Sequence, residues 1–294
     1  MKNDVTILIT AYKEEKNIKK CLDSILAQKL PKKQEILVLT PDEPTAMVAR
    51  TYGKKYKNLK VVKDPGKGKP KALNLAFKKV KNKILVLTDG DVVLGKSSIP
   101  YLIRHFKTPN VAAVSGRVVF IISKNSLFYE WAKLSEKTFD KIRKLQDKKK
   151  EFWHLTGYLY AMRSGIIKQI PVNVIADDAY IGYFLKLKNY LIKYEPKAKV
   201  YVKFPSSIKD FIKQKSRTRA GFLQLRRWFA FKERRILDEI SFGIRDLYKI
   251  YGIKKLYKMI IVGLIYLIAW LRAYWIFLTK KPFEKIWERV ETTK

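Results

Sequence analysis

The chain has 294 residues, 47% hydrophobic and 13% aromatic. That suffices for one large α/β domain with an accessory segment and excludes a disordered polymer. One cysteine, Cys21, excludes an intrachain disulfide and a thiolate metal cluster, while a net charge of +37, from 63 Lys and Arg against 26 Asp and Glu, attracts nucleic acid, anionic lipid or phosphorylated ligands.

Residues 1–10 run straight into a strand pattern, so no secretory leader is expected. Val5–Ile9 reads as a strand and about Glu15–Gln28 as a helix. Ile36–Leu39 is a second strand, stopped by Thr40-Pro41-Asp42-Glu43-Pro44, and Thr45–Tyr56 a helix. A strand at Leu59–Val62, a loop at Asp64–Pro70, a helix at Ala72–Val80 and a strand at Ile84–Leu87 follow. Continuous apolar runs separated by helices predict a mostly parallel sheet covered on both faces, with ligands beyond the carboxyl ends of its strands. Farther on, Val111–Ile122 reads as strand, Ser126–Lys150 as a long charged helix, Trp153–Met162 as an aromatic loop and strand, and Ala176–Leu187 as helix. From about Ser206 the chain turns helical, basic and aromatic, and Met259–Leu278 is its most apolar stretch. The lysines run through the whole chain rather than along one stripe, which argues against a dedicated nucleic-acid groove and leaves a solvated basic background as the plain reading.

With so few carboxylates, their clusters carry information. Asp89-Gly90-Asp91 follows a buried strand; in extended backbone, residues two apart point the same way, so both acids can face one ligand. Two carboxylates beside a diphosphate repel it by about 4 kcal/mol per charge pair at 4 Å and an effective dielectric near 20, and a hard divalent cation reverses that sign. A solvated turn is the plain alternative. Asp177-Asp178 opens a helix, where carboxylates answer the helix dipole or one of them serves as a general base. Gly66-Lys67-Gly68-Lys69-Pro70-Lys71 can offer amides and lysines to phosphates but lacks the spacing and the Ser/Thr of a P-loop. His105 and His154, the only histidines, form neither a triad nor a zinc site.

Taken in order, these pieces resemble the family 2 glycosyltransferases, inverting enzymes with a GT-A fold. Ile9-Thr10-Ala11-Tyr12-Lys13-Glu14-Glu15 resembles the opening segment that lines the nucleotide base. Gly66-Lys67-Gly68 with Ala72-Leu73-Asn74 resembles the family's Gly-Lys…Ala-Leu-Asn stretch, and Asp89-Gly90-Asp91 its metal-binding Asp-x-Asp. Gly157-Tyr158-Leu159-Tyr160-Ala161-Met162-Arg163 resembles the acceptor-side strand, and Asp177-Asp178 the pair whose second member is the base. The resemblance covers about residues 4–225. It implies donor binding by Ala11, Tyr12, Glu14, Asp42, Lys67, Lys69, Asn74 and Asp89, a Mg²⁺ or Mn²⁺ ion on Asp89 and Asp91, and Asp178 as base. It also implies diphosphate or acceptor contacts from Gln214, Arg217, Gly157 and Asp177. Where the family has an Asp-Asp-Gly-Ser-like turn after its second strand, only Asp42 is a stand-in.

The family's processive, membrane-bound branch carries Gln-x-x-Arg-Trp. Gln214-Lys215-Ser216-Arg217-Thr218 keeps the Gln and Arg but has Thr for Trp, whereas Gln224-Leu225-Arg226-Arg227-Trp228 matches literally. The first register is preferred because Gly221-Phe222-Leu223-Gln224-Leu225 continues as the family does. Met259–Leu278 reaches about 30 Å as a helix, enough to cross a bilayer core. Lys254, Lys255 and Lys258 before it and Lys280, Lys281 and Lys285 after it conflict with a simple positive-inside span. Arg272 costs about 3 kcal/mol at mid-membrane. A span, an interfacial helix and a buried packing helix all stay open.

The expected protein is thus a GT-A-like catalytic domain at 1–205, basic aromatic helices at 206–255 and a hydrophobic helix with a basic tail at 256–294. Its expected activity is transfer of a sugar from a UDP- or GDP-sugar to a lipid-linked or other glycan acceptor at the cytoplasmic face of the cell membrane. A processive polysaccharide synthase is the second reading, and an inactive scaffold or a basic nucleic-acid binder the reading from other classes.

Overall fold

Alternate residues of the central strands fall into two separate apolar cores. Ile7 and Ile9, Ile36 and Val38, and Ile84 and Val86 join one; Leu8, Leu37 and Leu39, and Leu85 and Leu87 join the other. Side chains in a strand alternate between faces, so continuous apolar runs mean a sheet buried on both sides. The computed structural model describes residues 5–31, 33–229, 252–279 and 290–293.

The strands are β1 (Val5–Thr10), β2 (Gln34–Thr40), β3 (Leu59–Lys63), β4 (Ile84–Asp89), β5 (Val93–Leu94), β6 (Val111–Ile121), β7 (Leu159–Arg163) and β8 (Leu191–Lys203). They form one sheet in the order β3-β2-β1-β4-β7-β6-β8-β5. The pairs among β3, β2, β1 and β4 are parallel, as is β6 with β8, while β7 runs antiparallel to both its neighbours and β5 to β8. The helices are α1 (Ile18–Leu26), α2 (Glu43–Lys55), α3 (Lys69–Lys79), α4 (Ser98–Ile103), α5 (Tyr129–Lys148), α6 (Asp177–Leu187), α7 (Ile208–Phe229) and α8 (Gly252–Leu278).

Local chemistry sets these boundaries. α1 buries Ile18, Cys21, Leu22 and Ile25, the spacing of one helical face, and starts later than expected because a turn from Glu14 to Asn17 precedes it. α2 is capped by Asp42, which accepts the Thr45 N–H at 3.0 Å. α3 begins ahead of the expected Ala72 because Pro70 sits in the first turn, where its missing N–H costs nothing. Three elements had no counterpart in the sequence pattern: α4, the short β5, and β8, the long strand that pairs with β6 and carries β5 on its other edge.

Parallel register brings Thr10 beside Leu39 on one side and Asp89 on the other, so the ends of β1, β2 and β4 open on one edge. α7 and α8 close over that edge. Gly221 of α7 lies so close to Ala176 that an added Cβ would stand 2.7 Å from the alanine's own, which lets α7 press on the start of α6. α8 buries Met259, Val262, Ile265, Ala269, Ala273 and Ile276 against α7 and α5, with Phe128, Phe211 and Ala220 among their neighbours. Its other face is apolar too: Ile260, Leu264, Leu267, Leu271, Trp275 and Leu278 are each more than half exposed. Among the described residues it is the one helix long and apolar enough to cross a membrane. The side chains of Lys254 and Lys255, the basic flank Lys280, Lys281 and Lys285, and residues 230–251 of the expected middle segment lie outside the described residues.

Candidate active site

The strand ends, the starts of α3 and α6, and one side each of α5, α7 and α8 enclose a cleft of about 1740 Å³. Asp89 ends β4 and Asp91 falls in the turn after it rather than in the strand, yet both line the cleft. Gly90 between them packs on Ala11; a Cβ there would lie 2.7 Å from that of Ala11, and its N–H donates to Thr10 O at 2.9 Å. The acidic turn is thus clamped to the end of β1.

Lys69, first residue of α3, donates to Asp89 Oδ1 at 2.6 Å, and Thr10 Oγ1 donates to the same oxygen at 3.0 Å. The ammonium also lies 3.9 Å from Asp177 Oδ2, a buried oxygen that receives no hydrogen bond. Burial works against this ammonium, but Asp89 and Asp177, with Asp178 behind them, hold its pKa above the ordinary lysine value. Asp177 is pushed up to about 6, by burial first and by Asp178 and Asp89 besides, with Lys69 opposing.

Asp178 is fixed from both sides. Its Oδ2 accepts the Gly157 N–H at 2.7 Å and its Oδ1 the Ala179 N–H at 2.8 Å. Burial raises its pKa above the aspartate value despite Lys69 and these two donors. Each oxygen keeps a second lone pair, so the carboxylate is oriented without being used up.

The remaining predicted residues divide. Ala11, Tyr12, Glu14, Lys67, Gly157, Gln214 and Arg217 line the cleft. Tyr12 is exposed, with the Lys13 ammonium 5.3 Å from its ring centre, whereas Glu14 is buried in the wall and accepts from Asn17 Nδ2 at 2.9 Å. Asp42 and Asn74 do not reach the lining. Asp42 caps α2 and accepts the Lys13 N–H at 2.8 Å; burial raises its pKa, but bonds from Lys13, Thr45 and Thr40 together bring it below the ordinary value. Asn74 spends both ends of its amide on the Ile170 backbone, at 2.8 Å each. It thereby anchors the 170 loop on α3. Of the two registers for Gln-x-x-Arg-Trp, Gln214 and Arg217 face the cleft, while Gln224 bonds Ile175 N and Asn173 O at 2.9 Å each and Trp228 packs edge-on against Tyr180.

Sequence reasoning missed the opposite wall. Arg117, Arg143 and Trp131 reach the cleft from β6 and α5, and Gly263, Tyr266 and Trp270 from α8, with the Arg219 guanidinium carbon 3.4 Å from the Trp270 ring centre. Nothing in a Lys/Arg-rich amphipathic helix marks one arginine as facing a site; that follows only once α5 is laid across the sheet edge.

For a divalent cation the donor set fits. Magnesium-like ions are held by one or two carboxylates plus substrate phosphates and water, and Asp89 and Asp91 supply hard oxygens at the cleft. Among the described residues no three His, Cys, Asp or Glu side chains form a ready-made cage.

The model of the glycosyltransferase like family 2 matches residues 3–221. The chain belongs to that family. The fold of this glycosyltransferase is similar to that of the mannosyltransferase PcManGT from Pyrobaculum calidifontis in complex with GDP-Man and Mn²⁺, at 16% identity and a TM-score of 0.70, covering 96% of this chain and 89% of that one. GalNAc-T7 with UDP, GalNAc and Mn²⁺ gives 12% identity and a TM-score of 0.55, covering 69% of this chain and 43% of that one. These likenesses show a GT-A fold. Curated relatives include the poly-beta-1,6-N-acetyl-D-glucosamine synthases of Staphylococcus epidermidis and Staphylococcus aureus, each 25% identical over 74% of this chain. The glycosyltransferase spans about half of their length, 54%.

Proposed function

We propose that this enzyme transfers a sugar, with inversion and with a divalent metal, from a UDP- or GDP-sugar to an acceptor held at a membrane surface. One observation carries the reading: the cleft has a carboxylate end at Asp89, Asp91 and Asp178 and an apolar wall made by α8, whose outer face is exposed and apolar. Residues 1–205 then hold donor and base, α7 completes the site, and α8 meets the lipid.

The acceptor hydroxyl attacks the anomeric carbon from the face opposite the diphosphate. The new C–O bond forms as the bond to the diphosphate breaks; the hydroxyl proton passes to Asp178 and the nucleoside diphosphate leaves with the bonding pair. Arg217 and Lys67 put positive charge beside the departing phosphates, which act where the new charge appears. Bound on Asp89 and Asp91, Mg²⁺ or Mn²⁺ supplies Lewis-acid neutralisation of that same charge.

α8 lies in the interface and does not cross. Its buried face is packed on α7, whose own length carries Lys209, Lys213, Lys215, Arg217, Arg219, Arg226 and Arg227; a crossing α8 would take those charges into hydrocarbon. An in-plane helix with one face on the protein and one in the lipid satisfies both, and the +37 net charge favours the anionic, cytoplasmic leaflet.

A polysaccharide product is the second reading, favoured by the curated relatives. Against it stands Thr218 at the position of the motif's tryptophan. Labelled nucleotide sugar supplied with membranes separates the two. Label extracted into organic solvent on a lipid extended by one sugar supports single addition; label in a water-soluble polymer ladder moves the assignment to the synthase.

A further inference from the structure

The carboxylates of the site meet a cation that belongs to the chain. Asp89, Asp177 and Asp178 come from the end of β4 and the start of α6, and the Lys69 ammonium stands between the first two, at 2.6 Å from Asp89 Oδ1 and 3.9 Å from Asp177 Oδ2. The side chain of Lys69 is 17% exposed and that of Asp177 7%. Asp177 Oδ2 is buried without a hydrogen bond, and among the described residues the Lys69 ammonium is the cation within ion-pair distance of it. Two acids facing each other across a partly dry gap repel unless a positive charge lies between them.

We propose that Lys69 is a tethered counter-cation: without a divalent ion it holds Asp89 against Asp177, and an ion arriving with the donor takes Asp89 over from it. The inference rests on the metal-dependent reading above and deepens it. Lysine suits the task because its ammonium is a point charge on a flexible stem, able to swing away once Asp89 has another partner. Its place at the first turn of α3, next to the Gly66–Gly68 loop, leaves it beside the space where a diphosphate would lie. The arrangement makes the empty site stable and its metal affinity weak, so the ion binds well only together with a nucleotide.

The test needs no donor and no turnover. Wild type and Lys69→Met are melted in EDTA and in MnCl₂, and Mn²⁺ binding is titrated without nucleotide. Lys69→Met should melt lower than wild type in EDTA and bind Mn²⁺ at least about tenfold tighter, because the competing charge on Asp89 is gone. At Mn²⁺ a hundred times its Kd, the variant should recover about 5 °C, and wild type about half of that or less at the same concentration. A Lys69→Met/Asp89→Asn protein, neutral at both positions, should melt alike in both media. A Lys69→Met protein that ignores Mn²⁺, whether folded or unfolded in both media, overturns the proposal. Since the readouts are melting and Mn²⁺ binding alone, that failure leaves the glycosyl-transfer reading standing, and absence of transfer would leave these readouts unchanged.

Discussion

Asp178→Asn is expected to remove at least about 99% of turnover and to leave donor binding within experimental error, since a placed general base contributes about 10²–10⁴-fold. The amide keeps the shape, but its single oxygen can accept only one of the Gly157 and Ala179 N–H groups, which the carboxylate takes on two different oxygens; donor binding therefore serves as the check that the variant is folded while the proton acceptor is lost. The pH profile supplies an independent check. Burial raises the Asp178 pKa above the aspartate value of 3.8. The protonated form cannot accept a proton, so activity is present above that raised pKa and falls as the pH drops through it. The acid limb of kcat/KM should therefore have its midpoint above 3.8 and disappear in Asp178→Asn. Normal turnover in the variant, or an acid limb unchanged by it, would remove Asp178 from the mechanism.

Leu264→Asp with Leu271→Asp should release the protein from anionic vesicles. Both side chains are at least 60% exposed on the outer face of α8, away from the cleft and from the α7 contact. Burying a leucine in an apolar phase is worth about 1.5–3 kcal/mol, so losing two lowers partitioning by about two to four decades. Sedimentation with phosphatidylglycerol vesicles reads this directly. The melting temperature should hardly move, because neither residue packs on the protein. A variant that still pellets with vesicles would show that α8 is not the membrane contact, and its outer face would need another cover.

Most of the candidate site could be placed from the sequence because it sits at the ends of strands and the starts of helices. Thr88-Asp89-Gly90-Asp91 follows a run of four apolar residues, and parallel register alone carries such a turn to the edge where β1 ends. The helix of Asp177-Asp178 and the basic loop before α3 could be placed for the same reason: short elements with strong periodicity leave little freedom. β8 escaped notice because its apolar positions, such as Ile192, Tyr194, Val200 and Val202, alternate with lysines, a pattern that a Lys-rich background hides. The Asn74 contact was hidden for a different reason: its side chain bonds the Ile170 backbone, and no local pattern encodes a partner that far along the chain. The apolar wall was illegible altogether. Met259–Leu278 announces its hydrophobicity, yet which face packs on α7 and which stays exposed depends on where Gly221 lets α7 lie.

The most direct test of the account is release of nucleoside diphosphate from a panel of UDP- and GDP-sugars, with membranes present, in Mn²⁺ or in EDTA, for wild type and Asp89→Ala. Release is expected from one donor in Mn²⁺, reduced to background by EDTA and by the substitution. Release that persists in EDTA or in Asp89→Ala would contradict a metal held by Asp89, and no release from any donor would contradict the transfer itself.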